Sequence, residues 1–190
     1  MSYAFHLFAP RPGEDPLATA QHKTDDLPAG SPDPVIEAHK HRTAVALITL
    51  NFRLKHAPFD YEVMARFNGI SLTEAQTRYR QIEMCGPNDG NGVQITIFDD
   101  EVMISVPQWH SGKEAAQVFR EIWSYFDLLA RESNFLIYDP QLDRLVDLNN
   151  DFARVLRHYL QLVELVSERR TKPQEPEEKD LVPMGVGTLL

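Results

Sequence analysis

The apolar positions of the chain change period several times, and each change marks an element. Tyr3, Phe5 and Leu7 alternate with Ala4, His6 and Phe8, the period-two pattern of a strand with one buried face. Residues 9–33 are rich in proline and acidic side chains and poor in apolar ones, which predicts a long loop. A helical period begins at Pro34, with Asp33 at the N-cap and proline at the first helical position. Ala38, Val45, Ile48 and Phe52 share one stripe with His41, predicting a helix to about Leu54 with that stripe on the core. Beyond Pro58, Asp60 can cap another helix. Gly69 can close it, and the capping box Ser71-Leu72-Thr73-Glu74 opens a further one carrying Ala75, Tyr79 and Ile82.

The turn cluster CGPNDGNG at 85–92 is the clearest internal boundary. After it, Val93, Ile95 and Ile97 alternate, as do Val102, Ile104 and Val106, and Asp99-Asp100-Glu101 joins the two runs as a hairpin. Ser111-Gly112-Lys113-Glu114 is a second capping box. It opens a long helix with Ala115, Phe119, Ile122, Phe126 and Leu129 on one face. FLIYDP and RLVDL are short strands about a turn at 140–143. A last helix from about Asp151 to Arg169 turns Phe152, Leu156, Tyr159, Val163 and Val166 to the core. The prediction is an α+β fold. Its antiparallel sheet takes an N-terminal strand and a β-β-α-β-β-α C-terminal half, is covered by helices, and follows a helical segment at about 34–84. Residues 1–170 are expected to form one domain. The charge- and proline-rich residues 171–190 are expected to be a disordered tail.

Composition narrows the function. A formal charge of −9 over 190 residues is wrong for a protein whose affinity comes from neutralising phosphates, so nucleic acid is not the expected partner. One cysteine, Cys85, excludes an intrachain disulfide and a multi-cysteine metal site. The N-terminus has no basic region before an apolar run, and no stretch reaches the length of a membrane span. A cytoplasmic protein is expected.

Candidate chemistry is sparse. Residues 61–82 have the outline of a helix-turn-helix, with Ala65, Gly69 and Ile70 in place. Arg78 stands where the second helix should bury an aliphatic residue, and Glu62, Glu74 and Glu83 surround it. An ordinary αα-hairpin fits better, and only Arg66, Arg78 and Arg80 could face DNA. The seven histidines show no i, i+4 zinc pair, and PNDGNG lacks the ligand run of a calcium loop. No metal or cofactor is expected. With no nucleophile elbow, phosphate loop or dinucleotide fingerprint, neither is an enzyme. PQWHSG leaves a strand, presents Trp109 and His110, and enters a helix. It can serve as a partner contact, or as a staple fixing the angle at which the helix starts.

MSYAFHLFAP, GVQITIFDDEVMISVPQWHSGKEA and FLIYDPQLDRLVDL together resemble small uncharacterised bacterial proteins that begin Met-Ser-Tyr and carry a Tyr-Asp-Pro-Gln segment, here Tyr138–Gln141. Some of these look like immunity proteins of toxin–immunity systems. The resemblance covers the first strand and residues 92–148. It implies a non-enzymatic domain that neutralises a cognate, basic toxin by binding it, with no catalytic residue carried over. An acidic inhibitor would gain on-rate and specificity from charge complementarity. The expected contacts are Asp99, Asp100 and Glu101 at the hairpin tip, Asp139, Asp143 and Asp147 nearby, and Trp109 and His110. The alternatives are a DNA-binding regulator using 61–82, and an enzyme of unrecognised type with a pocket by Trp109, His110 and the Asp139–Asp147 hairpin.

Overall fold

The N-terminal alternation builds the centre of the sheet. In the computed structural model, which describes residues 2–21, 31–86 and 91–171, β1 (Ser2–Phe8) lies between β5 (Glu101–Pro107) and β6 (Leu136–Asp139), antiparallel to both. Tyr3, Phe5 and Leu7 stand opposite Val106, Ile104 and Val102. The hairpin then sets Ile95 and Ile97 of β4 (Gln94–Ile97) opposite Ile104 and Val102. β3 (Ile82–Cys85) and β2 (Lys55–Ala57) extend the sheet on that side, and β7 (Arg144–Leu145) on the other, giving the order β2-β3-β4-β5-β1-β6-β7. A slip of one residue would exchange the two faces, so this run of facing apolar pairs fixes the register.

Helices α2 (Pro34–Leu50), α5 (Gly112–Ser133) and α6 (Phe152–Thr171) pack with this apolar face in one continuous core. α5 carries the sharpest amphipathic pattern. Ala115, Phe119, Ile122, Phe126 and Leu129 are all buried, as the 3.6 period requires. Each large side chain moved out of water there contributes about 1.5–3 kcal/mol. Phe5 meets Phe119 and Phe126 edge to face, and Trp123 donates its indole N–H to the Leu148 carbonyl at 2.9 Å.

Several expectations needed correction. Residues 9–33 are not all loop. α1 (Pro16–Gln21) is begun by the Asp15 carboxylate and lays Ala20 and Leu17 on Phe8 and Tyr138, covering one corner of the other sheet face. The segment 34–84 is not all helical. β2 and β3 flank α3 (Tyr61–Asn68) and α4 (Leu72–Arg78), and β2 is too short to show a period. α2 stops at Leu50, where the Asn51 backbone N–H caps Leu47. Its inner face carries Lys40, Thr43, Ala44 and Leu47, while the expected core residues Ala38, His41, Val45 and Phe52 are exposed. Ser111 makes no side-chain cap, because the chain enters α5 through Gly112 at φ 52° and the Glu114 carboxylate is taken by His110. Residues 87–90 of the turn cluster and 172–190 of the tail lie outside the described residues.

The other expected caps hold. Asp33, Asp60 and Ser71 accept from Val35, Val63 and Glu74 N–H groups, and Gly69 closes α3 in the left-handed region. α3 and α4 form a hairpin with a small core of its own, Ala65, Ala75 and Tyr79 under Phe59, Tyr61, Met64 and Ile70.

Candidate partner-binding surface

The acidic candidates do not form one surface. Asp99-Asp100-Glu101 sits where β1 ends, since Phe8 pairs with Glu101. Trp109 and His110 lie beyond Pro107, which pairs with Ser2 at the opposite end, and Asp139 with its turn is at that end too, within reach of Tyr3. Asp147 follows β7 back toward the Leu136 end, out at the sheet edge.

Most of these acids are occupied by the fold. The Asp99 carboxylate takes the Lys40 ammonium at 2.8 Å and the Arg80 guanidinium at 2.7 Å. Burial pushes its carboxyl up, but the hydrogen bonds and charges of Lys40 and Arg80 outweigh this and leave it below the ordinary value. Glu101 stands 3.7 Å from the His6 ring, and Asp100 is exposed. Asp139 is fully buried and accepts the Tyr3 hydroxyl at 2.6 Å and the Gln141 and Leu142 N–H groups. Burial raises its carboxyl above the usual range, and those donors offset only part of the rise. Asp143, at φ 50°, takes Gln21 and the Tyr138 hydroxyl, which hold its carboxyl low. Burial and that bond push Tyr138 up to about 12. Asp147 accepts from Asn150 and Asn149 and is likewise lowered.

The strand-exit motif divides into two roles. His110 is buried, one ring nitrogen 2.6 Å from the Asn91 carbonyl and the other 3.1 Å from Glu114. Its backbone N–H donates to the Tyr159 hydroxyl, which itself donates to the Pro107 carbonyl at 2.5 Å. His110 therefore ties the loop to α5 and α6 and offers nothing to a partner. Trp109 is 63% exposed, and its ring lies against Gly92.

The arginines expected at a DNA interface are engaged as well. Arg80 is nearly buried beside Asp99, Arg78 pairs with Glu74 at 3.4 Å, and Arg66 bonds the Glu62 carbonyl within its own helix. Among the described residues no cluster of His, Cys, Asp and Glu could hold a metal ion.

The surface that sequence reasoning misplaced is the outer face of α2. Val35 is 73% exposed, Val45 64% and Phe52, just past the helix, 86%, with Ala38, His41, Arg42 and Thr49 exposed among them. At 100° per residue the helical ones among them, Val35, Ala38, His41, Arg42, Val45 and Thr49, fall opposite the buried Lys40, Thr43, Ala44 and Leu47. α2 is thus apolar on both sides, which is the composition of a helix buried on both sides. It is also held firmly. Lys40 locks it to the hairpin, and Asn51 at its C-cap donates to Glu121 at 3.0 Å and to the Tyr125 hydroxyl at 2.7 Å on α5. A second apolar group, Val63, Phe67 and Leu72, stands on the α3–α4 hairpin.

No protein-family model, curated protein or solved structure matches the chain. No helix among the described residues is long and apolar enough to cross a membrane.

Proposed function

We propose that this is a non-enzymatic protein-binding domain, and that the outer face of α2 is its contact surface. One observation carries the proposal: α2 has two apolar faces, and among the described residues only one of them is packed. Isolated exposed apolar residues are ordinary, but a file of them along a rigidly held helix is the composition of an interface core. Anchoring α2 at Lys40, mid-helix, and at Asn51, its C-cap, reduces the ordering cost of association. The immunity role implied by the resemblance of the N-terminal strand and residues 92–148 is the biological form of this proposal, with a toxin as the partner. The binding energy is then assigned to α2 in place of the acidic hairpin, whose Asp99 already serves the fold.

The test is recovery of the tagged protein from its host beside a Val45→Asp, Phe52→Asp variant. The expected result is one stoichiometric protein that the wild type retains and the variant loses, with unchanged circular dichroism. Equal retention by both proteins would move the interface elsewhere. Recovery of nucleic acid that salt removes would instead favour the regulator reading of residues 61–82.

A further inference from the structure

We infer that the outer face of α2 takes an acidic, apolar-anchored peptide segment of the partner protein. The inference rests on the protein-binding proposal and specifies the partner's chemistry, reversing the basic partner that the net charge implies. The chain carries 28 Asp and Glu, yet no acidic residue stands between Glu37 and Asp60. That acid-free stretch contributes the exposed side chains of His41, Arg42, Arg53 and His56. Glu37, its nearest acid on the helix, is paired with Lys40 at 2.8 Å. Arg42 lies in the middle of the apolar file, between Ala38 and Val45. A segment seated on that file must place a group against the guanidinium, and a carboxylate satisfies it with paired hydrogen bonds.

The dimensions fit a segment better than a folded face. From Val35 to Thr49 the helix rises about 21 Å. A stripe that long and about 10 Å wide is far below the roughly 800 Å² per partner of a standard interface between globular proteins. Pairing with a second copy would also bring Arg42 side chains together in a desolvated strip, a like-charge cost. Anionic membranes and nucleic acids are recognised by larger basic clusters, about 4–8 Lys and Arg in juxtamembrane segments.

The experiment is fluorescence anisotropy of the full chain with labelled peptides about 18 residues long, enough to follow the helix in helical form. One places Leu and Phe at i, i+3, i+4 and i+7 with Asp and Glu at the other positions, and one is its lysine counterpart. Phosphatidylglycerol vesicles, a peptide of residues 172–190 and light scattering of the protein alone complete the set. The inference expects the acidic peptide to bind at least about tenfold more tightly than the lysine one, with salt weakening it. Arg42→Glu should cost at least about fivefold and Val45→Asp should abolish binding, circular dichroism being unchanged in both. Equal or reversed charge preference, no peptide binding, vesicle binding, a dimer, or tighter binding of the 172–190 peptide would each overturn it. If the native partner is still lost with Val45→Asp while the peptides show no charge preference, the protein-binding proposal stands and only the acidic chemistry fails. If Val45→Asp, Phe52→Asp leaves the native partner bound, the proposal itself fails.

Discussion

Replacing Lys40 by methionine should weaken the fold well beyond what one side chain on a solvent-facing helix would cost. The Lys40 side chain has no solvent exposure, and its ammonium lies 2.8 Å from Asp99, from Glu37 and from the Arg80 carbonyl. Methionine keeps most of the stem volume, so the loss is electrostatic and not a cavity. Removing one partner of a buried pair costs about 3–5 kcal/mol. Here Asp99 keeps Arg80 at 2.7 Å and some contact with water, which brings the expectation to about 2–3 kcal/mol. Urea unfolding followed by circular dichroism reads this directly, and a double-mutant cycle with Asp99→Asn should show a coupling of at least about 1 kcal/mol. The pH dependence gives an independent check. Asp99 titrates below its ordinary value in the fold, so its contribution is present above the unfolded carboxylate range and is lost as pH falls through the folded value. The Lys40→Met penalty should therefore shrink in acid. A change below about 0.5 kcal/mol at neutral pH would refute the argument, since the pair would then be no better than an apolar contact.

Three further outcomes follow from single contacts. Tyr3→Phe removes a hydroxyl donor from the buried Asp139 and should cost about 1.5–3 kcal/mol in urea unfolding at neutral pH. Because Asp139 already titrates above its ordinary value and Tyr3 opposes that rise, this penalty should diminish as acid protonates Asp139. Gly92→Ala combines φ +62° with a Cβ that would stand 2.7 Å from the Trp109 ring. It should destabilise by at least about 1 kcal/mol and alter tryptophan fluorescence. Phe67→Ser, at a side chain 84% exposed, should leave stability within about 0.5 kcal/mol by the same urea assay.

The parts of the fold legible in the sequence are those where one local rule acts alone. β1, the β4–β5 hairpin, α5 and α6 have clean periods, and Asp33, Asp60, Ser71 and Gly69 cap as their chemistry requires. α2 is not legible in this way, because its apolar residues surround it and periodicity cannot choose a face. The choice falls to Lys40, which is drawn inward by Asp99, a partner remote in sequence. For the same reason the acids looked like a surface. Asp99 and Asp139 are consumed by Lys40, Arg80 and Tyr3, pairings that only the folded chain reveals. The absence of acid between Glu37 and Asp60 is legible in the sequence as a gap in its charge pattern.

The central claim is that a protein sits on the outer face of α2, and site-specific photocrosslinking in the native host tests it most directly. A benzophenone side chain at position 45 should join the chain to one protein. The same group at position 161, exposed on α6, should not. Crosslinking at 161 with none at 45 would contradict the account, and so would a product at 45 made only of two copies of this chain.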